Sequence, residues 1–185
     1  NNLYLNTSYQ DFMEKDWSIS TGISFASDQT KLKLDTADIT DTENSAHFKL
    51  ALKKYFSSRY KLNFGAEYFI TDFKEDYSAN TIENEYKFNN NLLGGFAEAD
   101  IFFSKNLATK VGLRGEYSQL LQEFNLSPRL SLAYKAGQNA QFSLAYGEFF
   151  QNPRNEYLKF NTDFTAEKTT HYIANYQFVK NKQIF

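Results

Sequence analysis

Residues that could support catalysis or bind a metal are few and widely spaced in this sequence. The chain has two histidines, His47 and His171, and no cysteine. Without cysteine there is no thiolate metal site, no disulfide framework and no cysteine nucleophile. Two isolated histidines are more often polar lining than a zinc site, which needs further ligands at close spacing. We therefore predict neither a metal site nor a cofactor.

An acidic run at residues 35–45 is the other candidate for cation binding. Carboxylates of Asp35, Asp38, Asp41 and Glu43 could supply oxygen ligands to calcium. The run lacks the glycine and the ligand spacing of an EF-hand loop. A solvated acidic loop is therefore the prediction for this segment.

Charged residues of both signs recur at alternate positions in the second half of the chain. Glu98 and Asp100 are one strand step apart, so both lie on the same side of a strand. Arg114, Glu116 and Arg129 occupy equivalent positions in the segments that follow. With both arginines nearby, the two carboxylates are expected to form a ladder of ions along a channel wall rather than an acid–base pair. No Ser/His/Asp or Cys/His constellation has a plausible context, and we predict no enzyme.

The elements that would position these residues are β-strands. Residues 128–146 alternate apolar and polar side chains on both sides of a short Gly/Asn turn, which is typical of a β-hairpin. The same period of two recurs at residues 3–10, 17–26, 46–56, 60–70, 92–103, 107–117 and 168–178, and a tenth strand begins at Gln183. No segment shows a convincing helical period, and the polar run at 74–88 is predicted to be a loop.

The apolar faces of these strands could contact a protein core or lipid. Mean hydropathy is −0.58 although the chain contains 19 Phe and 13 Tyr. No stretch approaches the ~20 apolar residues of a transmembrane helix. A polar average with many aromatic residues is typical of a transmembrane β-barrel, because strand alternation hides the apolar face.

The lengths of the connections between strands indicate that the apolar faces contact lipid. Short connections alternate with longer ones, which lie at residues 27–45, 72–90, 118–126 and 147–166. Outer-membrane barrels have short periplasmic turns and longer extracellular loops. We predict an all-β, antiparallel, up-and-down transmembrane β-barrel over the single segment 1–185, with its apolar face on lipid. Its lumen would be lined by the charges of Glu98, Asp100, Arg114, Glu116 and Arg129. Aromatic residues in the long loops are candidates for ligand contact, namely Phe73, Tyr77, Phe149, Phe150, Tyr157 and Phe160.

Two other functions fit the same alternation. One is a complete small outer-membrane barrel with a structural or adhesion role, and the other is a soluble β-barrel that binds a ligand in an apolar interior. The near balance of 20 basic and 22 acidic residues argues against a nucleic-acid partner, which would require a basic stripe.

Several motifs between residues 94 and 178 resemble the barrel of TonB-dependent outer-membrane receptors. They are the SPR start of a strand at 127–129, YGEFFQNP at 146–153, EKTTHY at 167–172 and the hairpin GGFAEADIFFSKNLATKVGLRGEYS at 94–118. The Asn- and Lys-rich style of the chain is similar to receptors from Bacteroidetes.

The resemblance implies part of a larger protein. Receptors of this family have a plug domain inside a barrel of roughly 22 strands, whereas this chain contains about nine or ten strands and neither the plug nor the region that contacts TonB. We expect a segment of the barrel wall of a receptor that takes up a scarce ligand across the outer membrane. An iron chelate, a cofactor or a glycan would be that ligand, and TonB would supply the energy.

Overall fold

A computed structural model describes residues 1–161, 163–180 and 183–184. The chain forms one antiparallel sheet with a single turn of helix, α1, at Asn155–Leu158. The strands are β1 (Asn2–Met13), β2 (Trp17–Leu34), β3 (Ala37–Tyr55), β4 (Tyr60–Ala79), β5 (Ile82–Asn89), β6 (Leu92–Phe102), β7 (Leu107–Ser118), β8 (Glu123–Ala136), β9 (Ala140–Gln151), β10 (Glu167–Lys180) and β11 (Gln183–Ile184). The predicted all-β, up-and-down architecture is confirmed.

Each strand pairs with the next one in sequence, with one apparent exception. Strand β4 pairs with both β5 and β6, and β5 lies off the main strand order. Both pairings keep one register, from Ala79 opposite Ile82 to Tyr60 opposite Ile101. Strands β5 and β6 are therefore a single long strand, interrupted at residues 90–91. The sheet is open, and no described strand pairs with the outer edge of β1.

The two faces of the sheet differ in chemistry, as the alternation predicts. We call the apolar face the one that carries Leu50, Leu113, Leu130 and Leu144, and the polar face the one that carries Glu67 and Arg114. The Leu113 and Leu130 side chains are 47% and 49% exposed although they are large and apolar. A continuous exposed apolar surface of this kind requires a partner, and the 11 to 14 residues of β1 and of β6 to β10 are enough to cross a bilayer.

Three strands are much longer than the alternation predicts. Strands β2, β3 and β4 contain 18, 19 and 20 residues, and 20 residues span ~65 Å. Only about 9–11 residues of a tilted strand cross a bilayer. The predicted loops at 27–45 and 72–90 are therefore wrong, because these residues continue the strands as a sheet extension (residues 29–45 and 72–89).

The sequence pattern does not predict the sheet extension, because both of its faces are polar. Its apolar-face positions include Lys31, Asp38, Lys74 and Asp76, so the apolar–polar alternation stops while the pairing continues. Its tips are tight turns at which Asp35 and Asn80 have φ of 50° and 53°. Asp and Asn tolerate this left-handed conformation, so the turns need no glycine. The connection at 118–126 also contracts, to a turn at residues 119–122.

Of the connections predicted to be long, only the one between β9 and β10 remains. We call residues 152–161 the strap. It folds back over the polar face, where Leu158 is 2% exposed. At its far end Lys159 Nζ lies 2.7 and 2.5 Å from the two carboxylate oxygens of Glu75 on β4. Asn155 Nδ2 donates to Glu43 Oε2 on β3 at 2.9 Å. The strap is thus anchored to the sheet extension on its polar face.

Lys159 sits among carboxylates. Glu75 is buried, and Asp41 lies beside it on the neighbouring strand. Burial raises the pKa of the Asp41 carboxyl above its ordinary value, the nearby Glu75 carboxylate raises it further, and the Lys159 ammonium opposes the shift. Because the raised pKa belongs to the folded state, ionised Asp41 opposes folding at higher pH. Lys159 offsets that repulsion and holds the strap in place.

Replacing Lys159 with Met should release the strap. The change leaves the buried Glu75 carboxylate without its cation, and breaking a buried pair from one side costs about 3–5 kcal/mol. Limited proteolysis within the strap should become at least tenfold faster in the detergent-folded receptor.

Two variants control for this result. Lys168→Met removes an ion pair with Glu148 that is largely exposed on the lysine side, so it should leave the rate of cleavage almost unchanged. Asp41→Asn removes the carboxyl that resists ionisation and should protect the strap as well as the wild type does, or better. Equal cleavage of Lys159→Met and Lys168→Met would contradict this account of the anchor.

A charge at mid-strand should distinguish the two faces. Leu113 on the apolar face and Asn63 on the polar face lie at nearly the same height, because Asn63 pairs with Glu98 and Glu98 pairs with Gly112. Leu113→Arg should cost about 2–4 kcal/mol near the bilayer midplane. Asn63→Arg gains Glu98 as a neighbour and should fold normally. Heat-modifiable electrophoretic mobility after folding into liposomes measures the folded fraction of each variant. If Leu113→Arg folds and Asn63→Arg does not, the lipid-facing and lumen-facing sides of the sheet have been assigned the wrong way round.

Candidate functional site

A cleft of about 820 Å³ lies between the strap and the polar face of the sheet. Strands β2, β3 and β4 form its floor, the break at residues 90–91 and the ends of β7 and β8 form one side, and residues 150–156 form its cover. The long register of β2–β4 makes this site possible, because it extends the sheet far enough for the strap to reach β3 and β4.

Asparagine amides connect the strap to the sheet along one side of the cleft. Asn90 Nδ2 donates to Asn155 Oδ1, and Asn152 Nδ2 donates to Asn90 Oδ1, both at 3.2 Å. Asn152 also lies 3.0 Å from the Ser118 hydroxyl, which is buried on β7. The strand alternation does not predict this cluster. The run of three asparagines at 89–91, between two alternating segments, was the available signal.

The cleft is lined by an excess of carboxylates. Five of them face one guanidinium, that of Arg154, and they belong to Asp28, Asp41, Glu43, Glu116 and Glu156. Glu116 is paired with Arg114, whose Nη2 lies 2.8 Å from Glu116 Oε1. Asp28, Glu43 and Glu156 have no ion pair with any described residue. The lining can therefore accept hydrogen bonds from hydroxyl, amide or ammonium groups.

The six aromatic residues predicted to lie in loops divide between strands and strap. Phe73 and Tyr77 lie in β4, and Phe149 and Phe150 lie in β9, so their assignment to loops is wrong. Tyr157 and Phe160 belong to the strap and are 57% and 69% exposed. Phe73, which is 5% exposed, and Phe150 line the cleft. The strands keep pairing beyond the predicted boundaries, which is why four of the six are strand residues.

Below the cleft, the polar face carries a charge cluster centred on Glu67. Its carboxylate lies 3.0 Å from Lys49, 3.2 Å from Arg114 and 3.3 Å from His47. Arg114 reaches Glu67 across the intervening strand at Gly94, where a Cβ would lie 3.0 Å from the Arg114 Nη2. Arg114 and Glu116 thus lie on the polar face, in a cluster whose centre was not predicted.

The remaining predicted charges have different partners from those expected. Lys110 Nζ lies 3.3 Å from Asp100 and 3.8 Å from Glu98, so Lys110 takes the role expected of Arg114 and Arg129. The Arg129 guanidinium instead lies 4.9 Å from the centre of the Phe149 ring, and its Nε is buried without a hydrogen-bond partner among the described residues. The single ladder of ions expected here is therefore two separate clusters.

The acidic run at 35–45 does not converge on one point. Asp35 is at the tip of the extension, and Asp38 lies 3.7 Å from Lys33 on the opposite face from Asp41 and Glu43. No group of three or more potential metal ligands occurs among the described residues. The two histidines also lie apart, His47 stacked on Phe69 and His171 against Phe149. Within the described ranges, no helix has the length and apolarity needed to cross a membrane.

Solved structures share this fold. The alcaligin outer-membrane receptor FauA of Bordetella pertussis superposes with a TM-score of 0.79 at 14% identity, over 98% of this chain and 34% of that one. The siderophore receptor PirA of Acinetobacter baumannii gives 0.72 at 13% identity, over 97% and 33%. The copper transporter OprC gives 0.73 at 12% identity, over 97% and 36%. This chain spans about a third of each.

Sequence comparison agrees with the fold. Among curated proteins, none matches this sequence. The family model described as TonB dependent receptor-like, beta-barrel matches residues 1–181. The open sheet, its exposed apolar face and its next-neighbour pairing are those of such a barrel wall. The chain therefore belongs to the TonB-dependent receptor-like β-barrel family, whose barrels lie in the outer membrane.

Proposed function

We propose that this chain is part of the wall of a receptor that takes up a scarce small ligand, driven by TonB. An iron chelate, a cofactor or a glycan is the ligand class expected from the sequence, and TonB would act through another region of the receptor. From the Asn- and Lys-rich composition we predict a Bacteroidetes-like origin.

The observation that carries this proposal is the cleft. A strap folded back over the polar face of a membrane-facing sheet leaves about 820 Å³ lined by amides, carboxylates and three phenyl rings. Pockets of this size enclose small ligands. The similar structures include a receptor for alcaligin, a siderophore receptor and a copper transporter, which support uptake of a small ligand as the role of this wall.

Ligand binding by the full-length receptor tests the proposal. Isothermal titration in detergent would use a ferric trishydroxamate, a ferric catecholate, cyanocobalamin and a neutral oligosaccharide. One of these should bind, and Asn125→Ala, which alters a cleft residue of β8, should weaken binding about fivefold, since a lost hydrogen bond costs about 1 kcal/mol. Asn44→Ala, on the opposite face of the extension, should leave the affinity unchanged.

Uptake into cells completes this test. Entry of the bound ligand, followed with a radiolabel, should stop when a protonophore collapses the gradient that powers TonB. Failure of all four ligands to bind, equal weakening by both substitutions, or uptake that persists with the protonophore would contradict the proposed function.

A further inference from the structure

The charges of the cleft are unbalanced in a way that the rest of the polar face is not. In the Glu67 cluster, and around Glu98 and Asp100, each carboxylate lies within 3.8 Å of a cation, which is Lys49, Arg114 or Lys110. Inside the cleft the pattern differs. Within the described ranges, the Asp28 carboxylate accepts a side-chain hydrogen bond only from the neutral Asn2 amide, at 3.3 Å, and the Glu43 carboxylate only from the Asn155 amide, at 2.9 Å.

The walls around these carboxylates are partly apolar. Phe69, Phe73 and Phe150 line the same cleft as Asp28 and Glu43. Charges of one sign in a recess with low-dielectric walls concentrate their field and raise the local concentration of opposite charge. Among the described residues that line the cleft, Arg154 is the one cation, and it is outnumbered by Asp28, Glu43 and Glu156 even after Glu116 and Asp41 are assigned to Arg114 and Lys159.

The largely buried amide of Asn125 also faces this space. Asn125 is 9% exposed and lines the cleft, and its side chain makes no hydrogen bond to any described residue. A buried amide is normally satisfied by protein, water or ligand. Asn125 provides both donors and an acceptor, whereas the carboxylates accept only. The carboxylates of the cleft therefore offer acceptors only, and the Asn125 amide adds donors beside them.

We infer that the cleft selects its ligand by charge: it takes an uncharged or cationic ligand that donates hydrogen bonds, and it rejects polyanions. This inference rests on the proposed function, because it names the chemical class that the same cleft accepts. Hydroxyl, amide and ammonium groups of the ligand would pair with Asp28, Glu43 and Glu156, and its apolar part would lie on Phe73 and Phe150. An anionic chelate would meet unpaired carboxylates.

A cysteine probe measures the potential of the cleft without knowledge of the ligand. The sequence has no cysteine, so Asn125→Cys in the full-length receptor is the sole thiol of this segment. Its rates of reaction with a cationic and an anionic methanethiosulfonate of similar size are each divided by the rate with a free thiol. The normalised cation-to-anion ratio should be at least about tenfold. Asn44→Cys, on the opposite face of the extension, should give a ratio near one.

The carboxylates should account for that ratio. Adding Asp28→Asn, Glu43→Gln and Glu156→Gln to Asn125→Cys should bring the ratio close to that of Asn44→Cys, with heat-modifiable mobility confirming that the variant is folded. A ratio near one or below in the parent Asn125→Cys, or a ratio that survives the triple change, would overturn the inference.

Ligands that differ only in charge separate this result from the proposed function. A neutral ferric trishydroxamate should bind the receptor at least tenfold more tightly than the same chelate bearing three carboxylates, and the triple variant should narrow that difference. Tighter binding of the anionic form would overturn the inference. If neither chelate binds, the proposed uptake of iron chelates is contradicted. The ratio of cysteine reaction rates still tests whether the cleft selects by charge.

Discussion

The continuous antiparallel ladder of backbone hydrogen bonds is the constraint on which the rest of this structure depends. Inside a bilayer each unpaired backbone amide costs several kcal/mol, so a strand can cross only if both neighbours pair with it. From β1 to β10 the register is unbroken, and even the interruption at residues 90–91 preserves it. Because the side-chain period is two, a fixed register also fixes which residues meet lipid and which meet the lumen.

The same ladder places the cleft outside the hydrophobic band. Beyond the bilayer, water could satisfy the backbone, yet β2 to β5 remain paired with polar side chains on both faces. This continuation provides a rigid surface on which the strap docks through Lys159 and Asn155. The cleft is therefore bounded by paired strands on its floor and by a short anchored segment above. The sheet holds the carboxylates of Asp28, Asp41, Glu43 and Glu116 in place, and the anchored strap holds that of Glu156.

Strands could be predicted from the sequence where apolar and polar side chains alternate clearly. In residues 107–117 the apolar Leu107, Val111, Leu113 and Tyr117 alternate with the charged Lys110, Arg114 and Glu116, and the strand, its faces and its neighbours follow. Residues 27–45 could not be predicted as strands, because a strand with two polar faces has no alternation to detect. The partners of Glu98 and Asp100 could not be predicted either, since Lys110 and Arg114 are both cations on the same face of β7. Only their heights relative to β6 and the gap at Gly94 decide which carboxylate each one reaches. The strap could not be predicted, because its anchors Glu43 and Glu75 are more than 80 residues away from it in sequence.

Accessibility along β3 tests the central claim most directly, because this strand runs through both environments. Single cysteines at successive positions from Asp38 to Lys54 would carry nitroxide spin labels in the full-length receptor in liposomes, with collision rates measured for oxygen and for a water-soluble nickel complex. Labels at 46, 48, 50 and 52 should favour oxygen while their odd-numbered neighbours favour nickel, and labels at 38, 40, 42 and 44 should favour nickel. Loss of the period of two between 46 and 52, or oxygen-favoured contact continuing from 38 to 44, would contradict a sheet that faces lipid on one side and extends beyond the membrane.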